Sequence, residues 1–448
     1  MILPFITTPY ISRIMGAEKI GIYSYAYSIA SYFGLFILLG LSNYGNRTIA
    51  GVRDDKEKLS KTFWSIYLMQ ILMSVIITFI YIVYVILIAD NKFMAWIQLI
   101  YILSIALDIN WFFFGMEQFK LTVTRNTVIK ILNVILVFIF VKDRNDLYIY
   151  GGIMCIGPLV SQLFLWVFLK RFITYAKVEI RDVLGHIIPN LTLFVPVIAI
   201  SLYTTMSKIL LGSLSSMEAV GFYENSNKLT TIPSMVVTSL GTVMLPRMSN
   251  LVSNGNYKEA MRYIQKSLLI SVFLSCSMAF GISAVCKEFV PLFYGAGYEK
   301  CIDIISLLVL SSVFISWANV IRTQYLIPNK KDKIYIISVF MGAIVDIVLN
   351  LILIPKYAAL GAAVATFFAE FSVCAYQTYQ VRKEMNVGKY LKESMPLLIS
   401  GLVMYIITVN IPFIGNNLIT LVVRVFIGGL IYLSLSGLYY VKILKKKL

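Results

Sequence analysis

The sequence predicts an all-α integral membrane protein of about 14 transmembrane helices, in two six-helix lobes related as parallel repeats, plus two extra helices. Three observations carry that expectation. Of the 448 residues, 59% are hydrophobic and 14% charged, with a mean hydropathy of +0.82; a soluble domain carries roughly 25% charged and 45–50% apolar residues. No soluble core could hide so much apolar surface, so lipid must be the solvent. Second, the apolar residues fall in runs long enough to cross a bilayer as helix. Third, the chain repeats itself. Glu18-Lys-Ile-Gly-Ile-Tyr23 returns as Glu218-Ala-Val-Gly-Phe-Tyr223, and Ile131-Leu-Asn-Val-Ile-Leu136 returns as Val348-Leu-Asn-Leu-Ile-Leu353, in the same order and at similar offsets. A duplicated half is the simplest account.

A hydrocarbon core of about 30 Å needs roughly 17–25 helical residues. The apolar segments lie near 2–14, 20–41, 63–88, 93–115, 122–141, 147–169, 187–211, 219–245, 268–294, 302–327, 334–354, 359–380, 395–414 and 418–441. Helices rather than strands are expected because the ten-residue alternation of a barrel strand is absent. The first run is too short to span. It is expected to be a half-length helix or part of a longer one, and it lacks the basic flank of a signal peptide. Six helices separate the repeated stretches, an even number, so both halves enter the membrane in the same direction. The domains follow: 1–177, 178–385, and a trailing pair with a basic tail at 386–448.

Orientation comes from the loops. With the end of the last helix inside, about 28 of the 39 Lys and Arg fall on that side and about 8 on the other, the bias that marks cytoplasmic loops. Among the 28 are Arg125, Lys177, Arg181 and Lys445 to Lys447. Both termini are therefore expected in the cytoplasm. The net charge of +17 has the same source, and nucleic acid is not an expected partner. Five scattered cysteines read as small buried apolar residues, and a single histidine, His186, leaves no room for a histidine-based metal site or catalytic triad. No cofactor, metal or enzymatic activity is expected.

Charges inside apolar runs are the informative exceptions, because a charge in hydrocarbon costs at least about 2.5–3.5 kcal/mol. The cations are Arg13, Arg47, Lys208, Lys228, Arg322 and Arg424. Lys208 and Lys228 open the second half and could hold phosphate groups by charge-assisted hydrogen bonds; Glu224, four residues before Lys228, offers a helical ion pair instead. Arg47 and Arg322 read as snorkelling to the interface, a reading also open for Arg13, and Arg424 has no evident partner. The acids are Asp108 and Glu117, both expected in the fourth helix, Glu224, Asp346 and Glu370. Asp108, Glu224, Asp346 and Glu370 are candidates for ion or proton coupling. For Asp108, and equally for Asp346 with Asn350 one turn on and for Glu370, the other reading is a hydrogen bond to a neighbouring helix. Tyr23, Tyr25 and Tyr27 could stack on sugar rings or belong to the interfacial aromatic belt.

Several motifs together resemble the bacterial polysaccharide-unit flippases. They are Pro4-Phe-Ile-Thr-Thr-Pro-Tyr-Ile-Ser-Arg-Ile-Met-Gly16, Asn43-Tyr-Gly-Asn-Arg47, Asp108 to Lys120, Gly221-Phe-Tyr-Glu-Asn225, Leu240-Gly-Thr-Val-Met-Leu-Pro-Arg247 and Leu360-Gly-Ala-Ala-Val-Ala-Thr366. The resemblance covers essentially the whole chain. It is to the polysaccharide transporter family of O-antigen and capsule flippases, within the multidrug/oligosaccharidyl-lipid/polysaccharide exporter superfamily. It implies the multidrug-and-toxin-extrusion fold, two lobes around a central cavity, in a bacterial plasma membrane. The implied substrate is an oligosaccharide on undecaprenyl diphosphate, moved by alternating access, with other polysaccharide assembly proteins as partners. Arg13 matches an arginine of the cationic cavity in the lipid II flippase, and Arg13, Lys208 and Lys228 are the implied substrate-binding set. Many relatives place an Asp before the basic residue where this chain has Ser207 before Lys208. A drug exporter of the same architecture is the near alternative, and a membrane polymerase or glycosyltransferase the distant one.

Overall fold

The computed structural model describes residues 3–445, without the side chains at 3, 4, 196, 203 and 442–445. The start expected at residue 2 and the basic tail residues Lys446 and Lys447 lie outside the described residues. Among the described residues the helices fall into two compact units, Met1–Ile209 and Leu210–Leu448, with one helix straddling the division. Twelve helical segments among the described residues are long and apolar enough to cross a membrane.

The first unit opens with α1 (Leu3–Leu38), interrupted at Gly16, whose φ of +73° is easy only for glycine. A turn at Leu39–Gly40 leads to α2 (Leu41–Ala50). Asp55 then caps α3 (Lys56–Leu87), accepting from Glu57 N at 3.2 Å and Lys58 N at 3.1 Å. Asn91 caps α4 (Lys92–Ala106), and α5 (Asn110–Gly115), α6 (Phe119–Phe140) and α7 (Leu147–Leu169) follow. The single fourth helix expected at 93–115 is thus broken at 107–109. Glu117, expected inside it, lies in the following turn at φ +57°, with an exposed carboxylate 2.7 Å from Arg53 Nη1. A linker carrying α8 (Ile180–Gly185) leads to α9 (Ile187–Thr204), and the chain kinks at Thr205 into α10 (Met206–Leu214), which straddles the division. Helix α9, expected from the repeats to open the second lobe, packs against α2 in the first unit. Gly40 permits that packing, for a Cβ there would meet Asn190 O at 2.5 Å. The core is aromatic, with Phe63, Trp111, Phe112 and Phe113 fully enclosed beside Leu41 and Ile49.

The second unit contains α11 (Met217–Ser253, capped by Ser216), α12 (Tyr257–Tyr294), α13 (Lys300–Ile321) running into a π-helical turn Arg322–Leu326, α14 (Asp332–Val381), α15 (Val387–Val409) and α16 (Asn417–Lys445). A straight helix of 50 residues would measure about 75 Å, more than twice a bilayer core. Helix α14 instead kinks at Ala358, φ +47°, and doubles back: a Cβ on Gly361 would stand 2.5 Å from Leu353 O. Its two limbs match the separate segments read near 334–354 and 359–380. The trailing helices pack on α12, where Leu397, Met404 and Tyr432 join Leu268, Leu269 and Cys276 in one buried cluster. Long runs of exposed Leu, Ile, Val and Phe on α3 and α16 suit helices whose outer faces meet lipid.

Candidate functional site

In the first unit, the expected cations Arg13 and Lys208 take different settings. Arg13 is exposed on α1, three residues before the Gly16 interruption. Lys208 lies half-buried in the first turn of α10, just past the kink at Thr205, and its backbone N–H still bonds Thr205 O at 3.2 Å. The neighbouring Ser207 is fully buried.

Asp108 sits where α4 breaks. Its Oδ1 accepts from Asn110 N at 2.8 Å and Asn110 Nδ2 at 2.7 Å. A broken helix leaves carbonyls without partners, which is costly away from water. Here side chains supply them. Gln70 Nε2 donates to Ile105 O, Ala106 O and Asp108 O at 3.0, 3.2 and 2.9 Å, and Trp166 Nε1 donates to Leu107 O at 3.0 Å. Arg125, counted from sequence among the cations of the cytoplasmic side, is buried. It donates to Asn110 Oδ1 at 2.8 Å and to Ser161 O at 3.0 Å. Polar side chains therefore hold the break in a fixed shape, and Asp108 belongs to that framework. The tyrosines pack among themselves: Tyr23 stacks on Tyr27 with ring centroids 6.0 Å apart, and Tyr150 and Tyr101 stand 4.9 and 5.0 Å from them.

The unit's one histidine is a tie. Tyr44 Oη lies 2.6 Å from His186 Nδ1, and Ser65 Oγ lies 2.8 Å from Nε2. Burial holds its pKa below the usual histidine value. Nearby, Lys61 Nζ pairs with Asp182 at 2.9 Å and pulls that carboxyl below its ordinary range.

In the second unit the helical pair anticipated from spacing is present, with Lys228 Nζ 3.5 Å from Glu224 Oε1 and both side chains partly accessible. Asp346 is fully buried on α14. Its Oδ2 accepts from Asn350 Nδ2 at 2.8 Å, and Thr366 Oγ1 lies 3.5 Å from Oδ1 and 2.9 Å from Tyr223 Oη. The α14 hairpin thus brings Asp346 and Asn350 on one limb against Thr366 on the other, beside the tyrosine of the repeated stretch. Glu370, one turn beyond Thr366, is within electrostatic reach of Asp346 and Arg322. Arg322 starts the π-helical turn, its guanidinium 5.5 Å from the Tyr335 ring centroid. Four polar oxygens and a nearby second carboxylate could hold a small cation or a proton.

Arg424, for which the sequence offered no partner, has one 136 residues away. Its Nη1 stands 2.8 Å from both carboxylate oxygens of Glu288 on α12, and Nη2 donates to Ile411 O at 2.6 Å. Neither position of this pair could be matched by helical spacing.

Spans of this length and charges enclosed within them define a multi-pass integral membrane protein. A family described as "Polysaccharide biosynthesis protein" matches residues 1–252, more than half of the chain, and the chain belongs to that family; the MatE family matches residues 193–352. The chain is 24% identical over 391 residues to a putative O-antigen transporter of Escherichia coli K12, covering 85% of this chain and 93% of that one. It is 22% identical over 383 residues to the capsular polysaccharide biosynthesis protein CapF of Staphylococcus aureus, covering 82% and 92%. In fold it is similar to a lipid II flippase MurJ in an inward closed conformation, with a TM-score of 0.79 at 17% identity over 98% of this chain and 99% of that one. The membership agrees with the family resemblance read from the motifs.

Proposed function

We propose that the protein is a flippase that moves undecaprenyl-diphosphate-linked oligosaccharide units across the bacterial plasma membrane for surface polysaccharide synthesis. The observation that carries the reading is the retention of Lys208 and Lys228, half-buried, in apolar helices at the start of the second half. Cations so placed suit a diphosphate, which accepts charge-assisted hydrogen bonds. The names of the O-antigen, capsule and lipid II relatives support the same substrate class. Two six-helix parallel repeats and a trailing pair, 14 helices with both termini cytoplasmic, are the arrangement we favour; the doubling back of α14 at Ala358 supports one more pass than the twelve apolar segments, and the interruption at Gly16 sets off the short first run.

In this reading Arg13, Lys208 and Lys228 take the diphosphate. Asp346 and Glu370 carry ion or proton coupling, with Asp108 and Glu224, already engaged by Asn110 and Lys228, as secondary candidates. Substrate and ion shift the alternating states only by their differential affinity for each. A deletion strain should accumulate lipid-linked repeat units in the cytoplasmic leaflet; normal outer-leaflet levels would overturn the proposal. The MatE match over residues 193–352 supports one alternative, a drug exporter, for which deletion would remove drug resistance and leave polysaccharide intact.

A further inference from the structure

We infer that the linker from α7 to α9 is a built interfacial surface for anionic lipid head groups. Its inner side is fixed to the first unit by several independent contacts. Val183 is buried in the aromatic core, Lys61 pairs with Asp182, His186 meets Tyr44 and Ser65, and Trp64 Nε1 donates to Thr174 O at 3.0 Å. The opposite side is therefore fixed too. It carries Ile180, Leu184 and Ile188, which are 72%, 53% and 76% exposed. These positions are four apart, and His186, at φ −85° and ψ −15°, keeps the backbone close to helical between α8 and α9. The stripe thus lies on one face. Isolated exposed apolar residues need no explanation, whereas an apolar stripe on a rigidly held segment calls for an occupant.

Charge identifies that occupant. Lys170, Arg171, Lys177 and Arg181 are exposed in the stretch of chain that leads into the stripe, and none of them is ion-paired among the described residues. The acids of the segment are already engaged, for Glu179 and Asp182 cap α8 reciprocally and Asp182 also holds Lys61. An apolar stripe flanked by uncompensated cations fits the boundary of an anionic leaflet, where acyl chains cover the first and phosphates attract the second. A protein partner would have to cover the same stripe with an acidic apolar surface, and Tyr175 of the same segment, 78% exposed with its ring centroid 5.8 Å from that of Trp64, favours the aromatic belt of a lipid interface. This inference rests on the membrane orientation proposed above for which leaflet is met, and on nothing concerning the transported substrate.

The test uses the full chain in nanodiscs, either neutral phosphatidylcholine or one-third phosphatidylglycerol, with a nitroxide on Leu184→Cys and, separately, on Lys177→Cys. The unsubstituted chain, whose cysteines are buried or half-buried, sets the labelling background. The label at 184 should be open to oxygen and shielded from a water-soluble nickel chelate, and the label at 177 the reverse. Fluorescent phosphatidylglycerol should be enriched near 184, and the enrichment should fall about fivefold for each of Lys177→Gln and Arg181→Gln. A water-exposed label at 184, or enrichment indifferent to both charge variants, overturns the inference. A wrong substrate would leave all these readings unchanged while the deletion strain failed its own test. An inverted topology would show as labelling of 177 from outside intact cells.

Discussion

Replacing Arg424 by Ala removes the positive half of an enclosed ion pair whose side chains are 8% and 4% exposed. It would leave the Glu288 carboxylate, which now receives Nη1 at 2.8 Å on both oxygens, buried without its charge partner, and would orphan Ile411 O and Val409 O at the end of α15. Breaking a buried pair by removing one partner costs about 3–5 kcal/mol, whereas replacing both by apolar residues of similar volume is often close to neutral. Arg424→Ala and Glu288→Ala should therefore each lower the apparent melting temperature of the purified protein markedly. The double variant Glu288→Leu/Arg424→Met should recover most of that loss. Protease cleavage in the 410–416 turn should rise in Arg424→Ala, because Arg424 holds that turn as well as α12. If Arg424→Ala melts like the native chain, or if the double variant loses as much as the two singles together, the pair does not anchor the trailing helices.

Other expectations are briefer. Lys228→Ala breaks only an i,i+4 pair, worth about 0.3–0.5 kcal/mol, so loss of polysaccharide export at normal protein level would report function rather than folding; Lys208→Ala should behave likewise, and unaltered export would remove either from the site. Asp346→Asn keeps the size of the side chain and removes its charge, and transport by that variant in vesicles should lose its dependence on an imposed ion gradient. Gly40→Ala drives a Cβ onto the α9 backbone at 2.5–2.8 Å and should destabilise by about 1–3 kcal/mol, while Gly152→Ala, which meets nothing within 4 Å, should not; thermal unfolding compares them. His186 has a depressed pKa in the fold, so its contribution to stability is present above the unfolded value of about 6.5 and lost as pH falls through the folded value. Melting scans between pH 7.5 and 5 should show a loss in the native chain that is smaller in His186→Asn.

Hydropathy made the spans legible because lipid demands long apolar runs whatever the tertiary contacts. Boundaries were less legible where polar contacts carry a helix on or stop it. Helix α12 starts at Tyr257 although its apolar run begins near 268. The break after Ala106 could not be read, because the groups that stabilise it come from Gln70, Arg125 and Trp166 on three other helices. Local spacing did find the Glu224–Lys228 pair, which one helix supplies by itself. It could not find Glu288 for Arg424 or bury Arg125, since those partners are set by packing between helices. The repeated motifs place α9 at the start of a proposed second half, whereas its packing on the first unit depends on contacts at Gly40 and His186 that no repeat announces.

The same distinction separates the candidate site from the scaffold. An enclosed charge in a membrane helix is a functional candidate by default, but its hydrogen bonds decide how far that default survives. Arg125 and Arg424 spend their donors on carbonyls, Asn110 and Glu288, in arrangements that two chain segments must share. Moving a proton or a ligand through either would break the packing of a whole helix. Asp346 is different, because Asn350 and Thr366, which hydrogen-bond it, are neutral and lie on its own helical hairpin, with Tyr223 bonded to Thr366. Its hydrogen bonds to Asn350 and Thr366 lie within one helical hairpin, and we propose that exchange of a cation or proton there leaves α14 in place. Lys228 has only a neighbour on its own helix to lose. A functional charge must change partners without unfolding its surroundings, and on that ground we propose Asp346 and Lys228, rather than the two buried arginines, as functional positions.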